Sequence, residues 1–160
     1  MTGALELVDG GLGDLPAVMT VMDAAFEPRF GEAWTASQCA GLMPMPGVWL
    51  TIARDRDEPV GFALSRLTVG EAELLLLAVR PDARGRGVGK SLLDHFQQAA
   101  ISRGAHRLHL EVRDGNPAVN LYRSSGFTLS GRRPRYYSGG GGELYDALSL
   151  SKLASSSAAD

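Results

Sequence analysis

One stretch of this chain constrains its fold more than any other. An apolar run, Leu74 to Val79, is followed by the loop Arg84-Gly85-Arg86-Gly87-Val88-Gly89 and then by Leu92, Leu93, Phe96 and Ala100 at helical spacing. The apolar run is short and bounded by turn signals, as a buried strand is, whereas the later stripe needs an amphipathic helix, which Gly104 ends. Strand, glycine turn and helix together predict an α/β unit. The same unit is an anion site, because the amides of the helix's first turn lack intrahelical acceptors and the helix dipole favours negative charge there. Arg84, Arg86 and Lys90 add mobile positive charge, so the sequence predicts a phosphate-bearing ligand.

The rest of the chain alternates strands and helices, without an internal repeat or a dividing linker. A strand is predicted over Ala4–Val8, then a helix capped by Asp14 with Pro16 in its first turn, then a short helix opened by Thr35 and ended by Pro44 and Pro46. Strands follow over Val48–Ala53, Val60–Val69 and Leu74–Val79. After the glycine loop and its helix come a strand over Arg107–Val112 and a short helix past Pro117. Further strands are expected near Phe127–Leu129, Arg135–Tyr137 and Glu143–Leu150. In Arg107–Val112, Leu108, Leu110 and Val112 share one face, while Arg107, His109, Glu111 and Arg113 share the other. Strands outnumber crossover helices, so the expected fold class is α/β in the α+β sense, a mixed sheet with helices on its faces. The expected organisation is a single domain over 1–150 and a disordered Ser/Ala-rich tail over 151–160.

Composition narrows the function classes. A net charge of −2 leaves no footprint for nucleic acid, and the longest apolar run is far too short for a membrane. No basic segment followed by an apolar one opens the chain, so a cytoplasmic location is expected. Cys39 is the only cysteine, and with His95 and His106 it forms no metal-like spacing; no metal is expected.

Three ligand classes compete for the glycine loop. A nucleoside-triphosphate loop needs Gly where Arg84 stands, and the following strand lacks an apolar run closing on Asp. A dinucleotide fingerprint needs G-x-G-x-x-G, whereas Gly85, Gly87 and Gly89 are evenly spaced, and Glu111 lies inside its strand rather than at its end. The third class is the pyrophosphate of coenzyme A. Arg84, Gly87 and Gly89 fill the fixed positions of [QR]-x-x-G-x-[GA], and Ala78 to Leu93 resembles the acetyl-CoA motif of the GNAT N-acetyltransferases. Leu110-Glu111-Val112-Arg113, Asn116, Leu121-Tyr122, Gly126-Phe127, Arg132-Arg133, Tyr136-Tyr137 and Asp146-Ala147 extend the resemblance to the RimI-type ribosomal-protein-alanine N-acetyltransferases, over roughly Leu74–Leu150. The chain departs from the family's N-x-x-A-x-x-L-Y, since Asn116 to Tyr122 is one residue shorter.

The resemblance implies the GNAT acyl-CoA N-acyltransferase fold, with a mostly antiparallel central sheet, and acetyl-CoA as co-substrate. By resemblance, Glu111 is the general base, through water, and Tyr122 the general acid for the CoA sulfur. Leu77, Ala78 and Val79 offer backbone groups, with Val79 N–H aimed at the thioester oxygen. Gly85, Arg86, Gly87, Val88, Gly89 and Lys90, with Arg84, hold the pyrophosphate, and Asn116 holds the pantetheine arm. The implied acceptor is a protein N-terminus, the alanine of a small-subunit ribosomal protein. A lysine or small-molecule acceptor, a non-catalytic CoA sensor and a nucleotide hydrolase are the alternatives. The chemistry suits an α-amine: with a pKa of about 7.8, roughly a quarter is neutral at about pH 7.4, against about one lysine in a thousand. Lysine would need about 3 kcal/mol more assistance. Against these roles, Glu111 could simply pair with Arg107 or Arg113, Tyr122 could be a core tyrosine, and Tyr136 and Tyr137 could merely cover the sheet.

Overall fold

A computed structural model describes residues 4–154. Seven strands form one sheet: β1 (Leu5–Gly10), β2 (Val48–Asp55), β3 (Glu58–Thr68), β4 (Glu71–Val79), β5 (Arg107–Arg113), β6 (Thr128–Ser138) and β7 (Leu144–Leu153). Their order is β1-β2-β3-β4-β5-β7-β6, and only the central β4–β5 pair is parallel. The parallel pair requires a crossover, and α3 (Val88–Ser102) supplies it, fed by the glycine loop. Helices α1 (Leu15–Ala25) and α2 (Ala36–Leu42) cover one face, and α4 (Ala118–Ser124) precedes β6.

Each face buries its own apolar cluster. Leu92, Leu93, Phe96 and Ala100 of α3 pack with Ala72, Leu74, Leu108, Leu110, Val112 and Phe127; Val18, Val21 and Met22 of α1 pack with Cys39, Ile52, Phe62, Leu64, Leu76 and Ala78. Strand β4 thus contributes to both, although a regular strand keeps alternate residues on one face. A bulge explains the switch: Leu64 lies opposite Leu76 and Ser65 opposite Leu74, so Leu75 is an extra residue. Helix α3 lies directly on the backbone at Gly61, where a Cβ would come within 3.1 Å of Leu92 Cδ1 and 3.2 Å of Val88 Cγ1. That close approach seats the start of α3 at the end of β4.

Several expectations need correction. Asp14 does not cap α1 with its side chain; its Oδ2 accepts the Gly11 N–H at 2.9 Å and closes the preceding 3-10 turn instead. Thr35 does cap α2, in a reciprocal pair with Gln38 (3.1 and 2.7 Å). The strands expected near 127–129 and 135–137 are parts of one strand, β6, interrupted in register rather than ended. The domain does not stop at 150, because β7 continues to Leu153. Ser151, placed by its composition in a tail, pairs with His109 on one side and Thr128 on the other and takes a 3.0 Å hydrogen bond from Arg107. The remainder of the expected tail, 155–160, lies outside the described residues.

Candidate active site

Strands β4 and β5 pair only from Glu71–Leu74 to Arg107–Leu110 and separate beyond the bulge. A cleft of about 700 Å³ opens where they part. Arg80 N–H donates to the Val60 carbonyl on β3 at 2.8 Å. Backbone groups alternate along a strand, so Leu77 and Val79 turn theirs the other way, into the cleft. The Val79 carbonyl is taken by Arg84 Nε at 3.2 Å, and its N–H is left without a ladder partner. At the cleft's far end the amides of Gly85 to Lys90 meet no acceptor among the described residues, and Ser91 N–H, to the Gly87 carbonyl at 2.9 Å, is the first that does. Six donors on a glycine turn, backed by the dipole of a 15-residue helix, fit a pyrophosphate.

Leu77, Ala78, Val79, Arg84, Gly85, Gly87, Val88, Gly89, Lys90 and Asn116 all line this cleft; Arg86 does not, and pairs with Asp55 at 3.3 Å instead. The cations expected to be mobile are each engaged. Arg84 bonds the Val79 and Ala25 carbonyls, the latter at 2.9 Å and at the C-terminal end of α1, where positive charge is favoured; Lys90 pairs with Asp94 at 2.8 Å. The site is therefore built first from backbone amides and only then from side-chain charge.

A second, smaller cavity, about 120 Å³, continues from the cleft and shares Phe26, Glu32, Leu77, Asn116 and Ala118 with it. Glu111 and Tyr122 both line it, with Trp34, Glu73, Tyr136 and Tyr137. Glu111 pairs with neither Arg107 nor Arg113. Arg133 Nε (2.5 Å) and Ser149 Oγ (2.8 Å) both donate to its Oε2, and Tyr136 lies close enough that, after burial, the Glu111 charge raises its pKa. Tyr122 is a buried tyrosine that packs edge-on against Phe127, but it also reaches the cavity wall. Burial, and secondarily the charge of Glu32, push its pKa well above the usual tyrosine value, so the hydroxyl holds its proton at any working pH.

Tyr136 and Tyr137 line one cavity although they are consecutive, which a regular strand forbids. Between the pairs Arg133↔Ala147 and Tyr137↔Tyr145 the ladder skips, and Arg135 is left-handed at φ 54°. Asp146 holds this bulge: its Oδ1 accepts the Arg135 N–H at 3.0 Å and its Oδ2 takes Arg132 Nη1 at 2.8 Å. These bonds depress the Asp146 pKa, the backbone one foremost, so its contribution is complete above the ordinary Asp value of about 3.9 and is lost as pH falls through its lower folded value. Replacing Asp146 with Asn is expected to raise the acceptor KM about fivefold by letting both tyrosines drift. CoA affinity should hold, and steady-state kinetics beside calorimetry would separate the two.

The loop joining α1 to α2 roofs both cavities. It is held against the β6–β7 turn by the Gly140 N–H, which donates to the Pro28 carbonyl at 2.9 Å, and by backbone contact at Gly139, where no side chain would fit beside the Arg29 carbonyl. Phe30 stacks edge-on against Tyr145, and the Arg113 guanidinium lies 3.6 Å from the centre of the Phe30 ring. Arg113, expected on the same face as Glu111, is only 8% exposed beneath this roof. Neither Glu32 nor Ser149 carries a signal of its own in the sequence. Glu32 sits in an irregular loop, and Ser149 becomes visible only through its register opposite Glu111.

The acetyltransferase (GNAT) family model matches residues 15–127. Over 82 residues the chain is 40% identical to the [ribosomal protein bS18]-alanine N-acetyltransferase of Salmonella typhimurium, covering 51% of this chain and 55% of that protein. The streptothricin acetyltransferase of Streptomyces lavendulae is 39% identical over 87 residues, covering 54% of this chain and 43% of that one. The chain thus spans about half the length of each of these two relatives. Its fold overlays the crystal structure of the ribosomal-protein-S18-alanine N-acetyltransferase from Escherichia coli with a TM-score of 0.85, at 28% identity and 94% coverage of both chains. Among the described residues no helix is long and apolar enough to cross a membrane.

Proposed function

From the chain's membership of the GNAT acetyltransferase family, we propose that it transfers an acetyl group from acetyl-CoA to the α-amine of a protein N-terminus, with alanine first and a small-subunit ribosomal protein as acceptor, in the cytoplasm. One observation carries this reading: the cleft lined by free amides opens directly into the small cavity that holds both Glu111 and Tyr122. The similarity to proteins named for ribosomal alanine acetylation supports the acceptor, and the small cavity suits a short first side chain.

Bound acetyl-CoA would supply an activated thioester. The amides of Gly85 to Lys90 hold its pyrophosphate, Asn116 its pantetheine arm, and Val79 N–H offers a donor to the carbonyl oxygen, where such donors stabilise developing charge. The Glu111 carboxylate takes the amine's proton through water, while Ser149 and Arg133 keep it in place. Tyr122 presents a hydroxyl to the departing sulfur. A thiol has a pKa of about 8.5, below that of tyrosine and further below that of Tyr122, so Tyr122 assists by donating a hydrogen bond to the departing thiolate and keeps its own proton.

Thiol release from acetyl-CoA with three peptides tests this: one with a free N-terminal Ala, the same peptide blocked, and one whose only amine is lysine. Turnover on the free N-terminus alone is expected. Turnover on lysine alone overturns the acceptor, and CoA binding without turnover on any amine overturns the enzyme. The likeness to a streptothricin acetyltransferase makes that antibiotic the fourth acceptor to try.

A further inference from the structure

Glu32 has no part in the reaction as derived above, yet it lines both cavities at their junction and its side chain is only 9% exposed. A buried carboxylate needs partners, and Glu32 has two of different kinds. Its Oε2 accepts Asn116 Nδ2 at 2.7 Å. Its Oε1 lies 3.3 Å from Arg113 Nε, an atom that is buried and makes no directed hydrogen bond, so Arg113 supplies charge while Asn116 supplies direction.

Asn116 passes the contact on. Its Oδ1 accepts the Ala118 N–H at 2.8 Å and its backbone carbonyl the Val119 N–H at 3.1 Å, which together open α4. That helix has only seven residues and would be marginal alone, so its position depends on such anchors. Tyr122 lies one turn further along it. An unbroken series of contacts therefore runs from the roof loop, through Glu32 and the Asn116 amide, to the helix that carries the tyrosine. The loop end of that series is itself fixed, since residues 28–31 are tied to the β6–β7 turn.

We infer that Glu32 is a positioning residue: by holding the Asn116 side chain from the acceptor-side loop, it sets the helix that aims Tyr122 at the leaving sulfur. This rests on the role proposed for Tyr122. It ties the alignment of Tyr122 to the placement of the loop over the acceptor side, so that the sulfur is met by a donor only where that loop is in place.

The test is a double-mutant cycle on kcat at saturating substrates, with thermal unfolding and CoA titration of each variant. Glu32→Ala is expected to lower kcat about tenfold. Glu32→Gln, whose amide oxygen can still accept from Asn116, should recover most of the loss. In a Tyr122→Phe background, Glu32→Ala should cost less than about twofold more. An undiminished tenfold loss there would overturn the inference, as would Gln behaving like Ala. If Glu32→Ala does not fold, Asn116→Ala cuts the series at its next link and must show the same dependence on Tyr122. Should Tyr122→Phe turn over like the unmodified enzyme, the assignment of Tyr122 falls, a result distinct from additivity in the cycle.

Discussion

Replacing Glu111 with Gln is expected to lower kcat for acetylation of a free N-terminal peptide by two to three orders of magnitude, with CoA affinity unchanged. The size follows from what positioned proton transfer contributes, about 10²–10⁴-fold. The surroundings of Glu111 make the interpretation clean. Gln keeps the shape, and its amide oxygen can still accept from Ser149, so the cavity wall stays put. The ion-pair partner Arg133 is 62% exposed, and an exposed cation released from a salt bridge costs little. Stability should therefore barely move, and the loss falls on the chemistry. Stopped-time thiol release and calorimetric CoA titration on the same preparations would check both halves. A kcat within threefold of the unmodified protein would reduce Glu111 to an ion-pair partner of Arg133.

Much of this site could be read in the sequence, and what could not has a common physical cause. The glycine loop, its strand and its helix are local, so spacing alone locates the amide cradle. Glu111 and Tyr122 are legible through motif resemblance, and the structure carries them to one cavity. Pairings between segments far apart in the chain were not legible. Asn116 with Glu32, Arg133 with Glu111 and Ser149 with Glu111 join residues 84, 22 and 38 positions apart. Alternation placed Arg113 on the face opposite the α3-side core, and it does lie there; its burial comes from a loop folding over it. Arg86 looked free because sequence does not show that Asp55, 31 positions away, reaches it, whereas Lys90 and Asp94 form a local i,i+4 pair that helical spacing already offered. The strand end at Ser151–Leu153 escaped for a related reason: a central strand between two partners tolerates serine, whose composition otherwise resembles a tail.

A large side chain at Gly89 is expected to abolish CoA binding while leaving the fold intact, which separates the cradle from the scaffold. A Cβ there would meet Leu121 Cδ2 at 3.4 Å and Val79 Cγ2 at 3.8 Å, both on the cleft wall, so it points into the space before the free amides. Position 89 is the second residue of α3 and has no left-handed backbone requirement, so Ile does not cost the helix propensity and favours it over Gly by about 0.5 kcal/mol. Its further atoms, however, would occupy the place proposed for the pyrophosphate. Removing two charge-assisted amide hydrogen bonds, each worth about 1.5–3 kcal/mol, weakens CoA by at least about 100-fold. Gly89→Ala, whose methyl just reaches ordinary contact, should lose no more than a few-fold. Thermal unfolding is the sharper measurement: at a CoA concentration about 100 times the Kd of the unmodified protein, binding stabilises it by about 2.7 kcal/mol. Gly89→Ile should unfold with the unmodified protein when CoA is absent and gain almost nothing when it is added. If the Ile variant were stabilised by CoA as fully as the parent, the pyrophosphate would have to lie away from the start of α3. The placement of the thioester beside Val79 would then fall with it, since the two are fixed by one extended ligand.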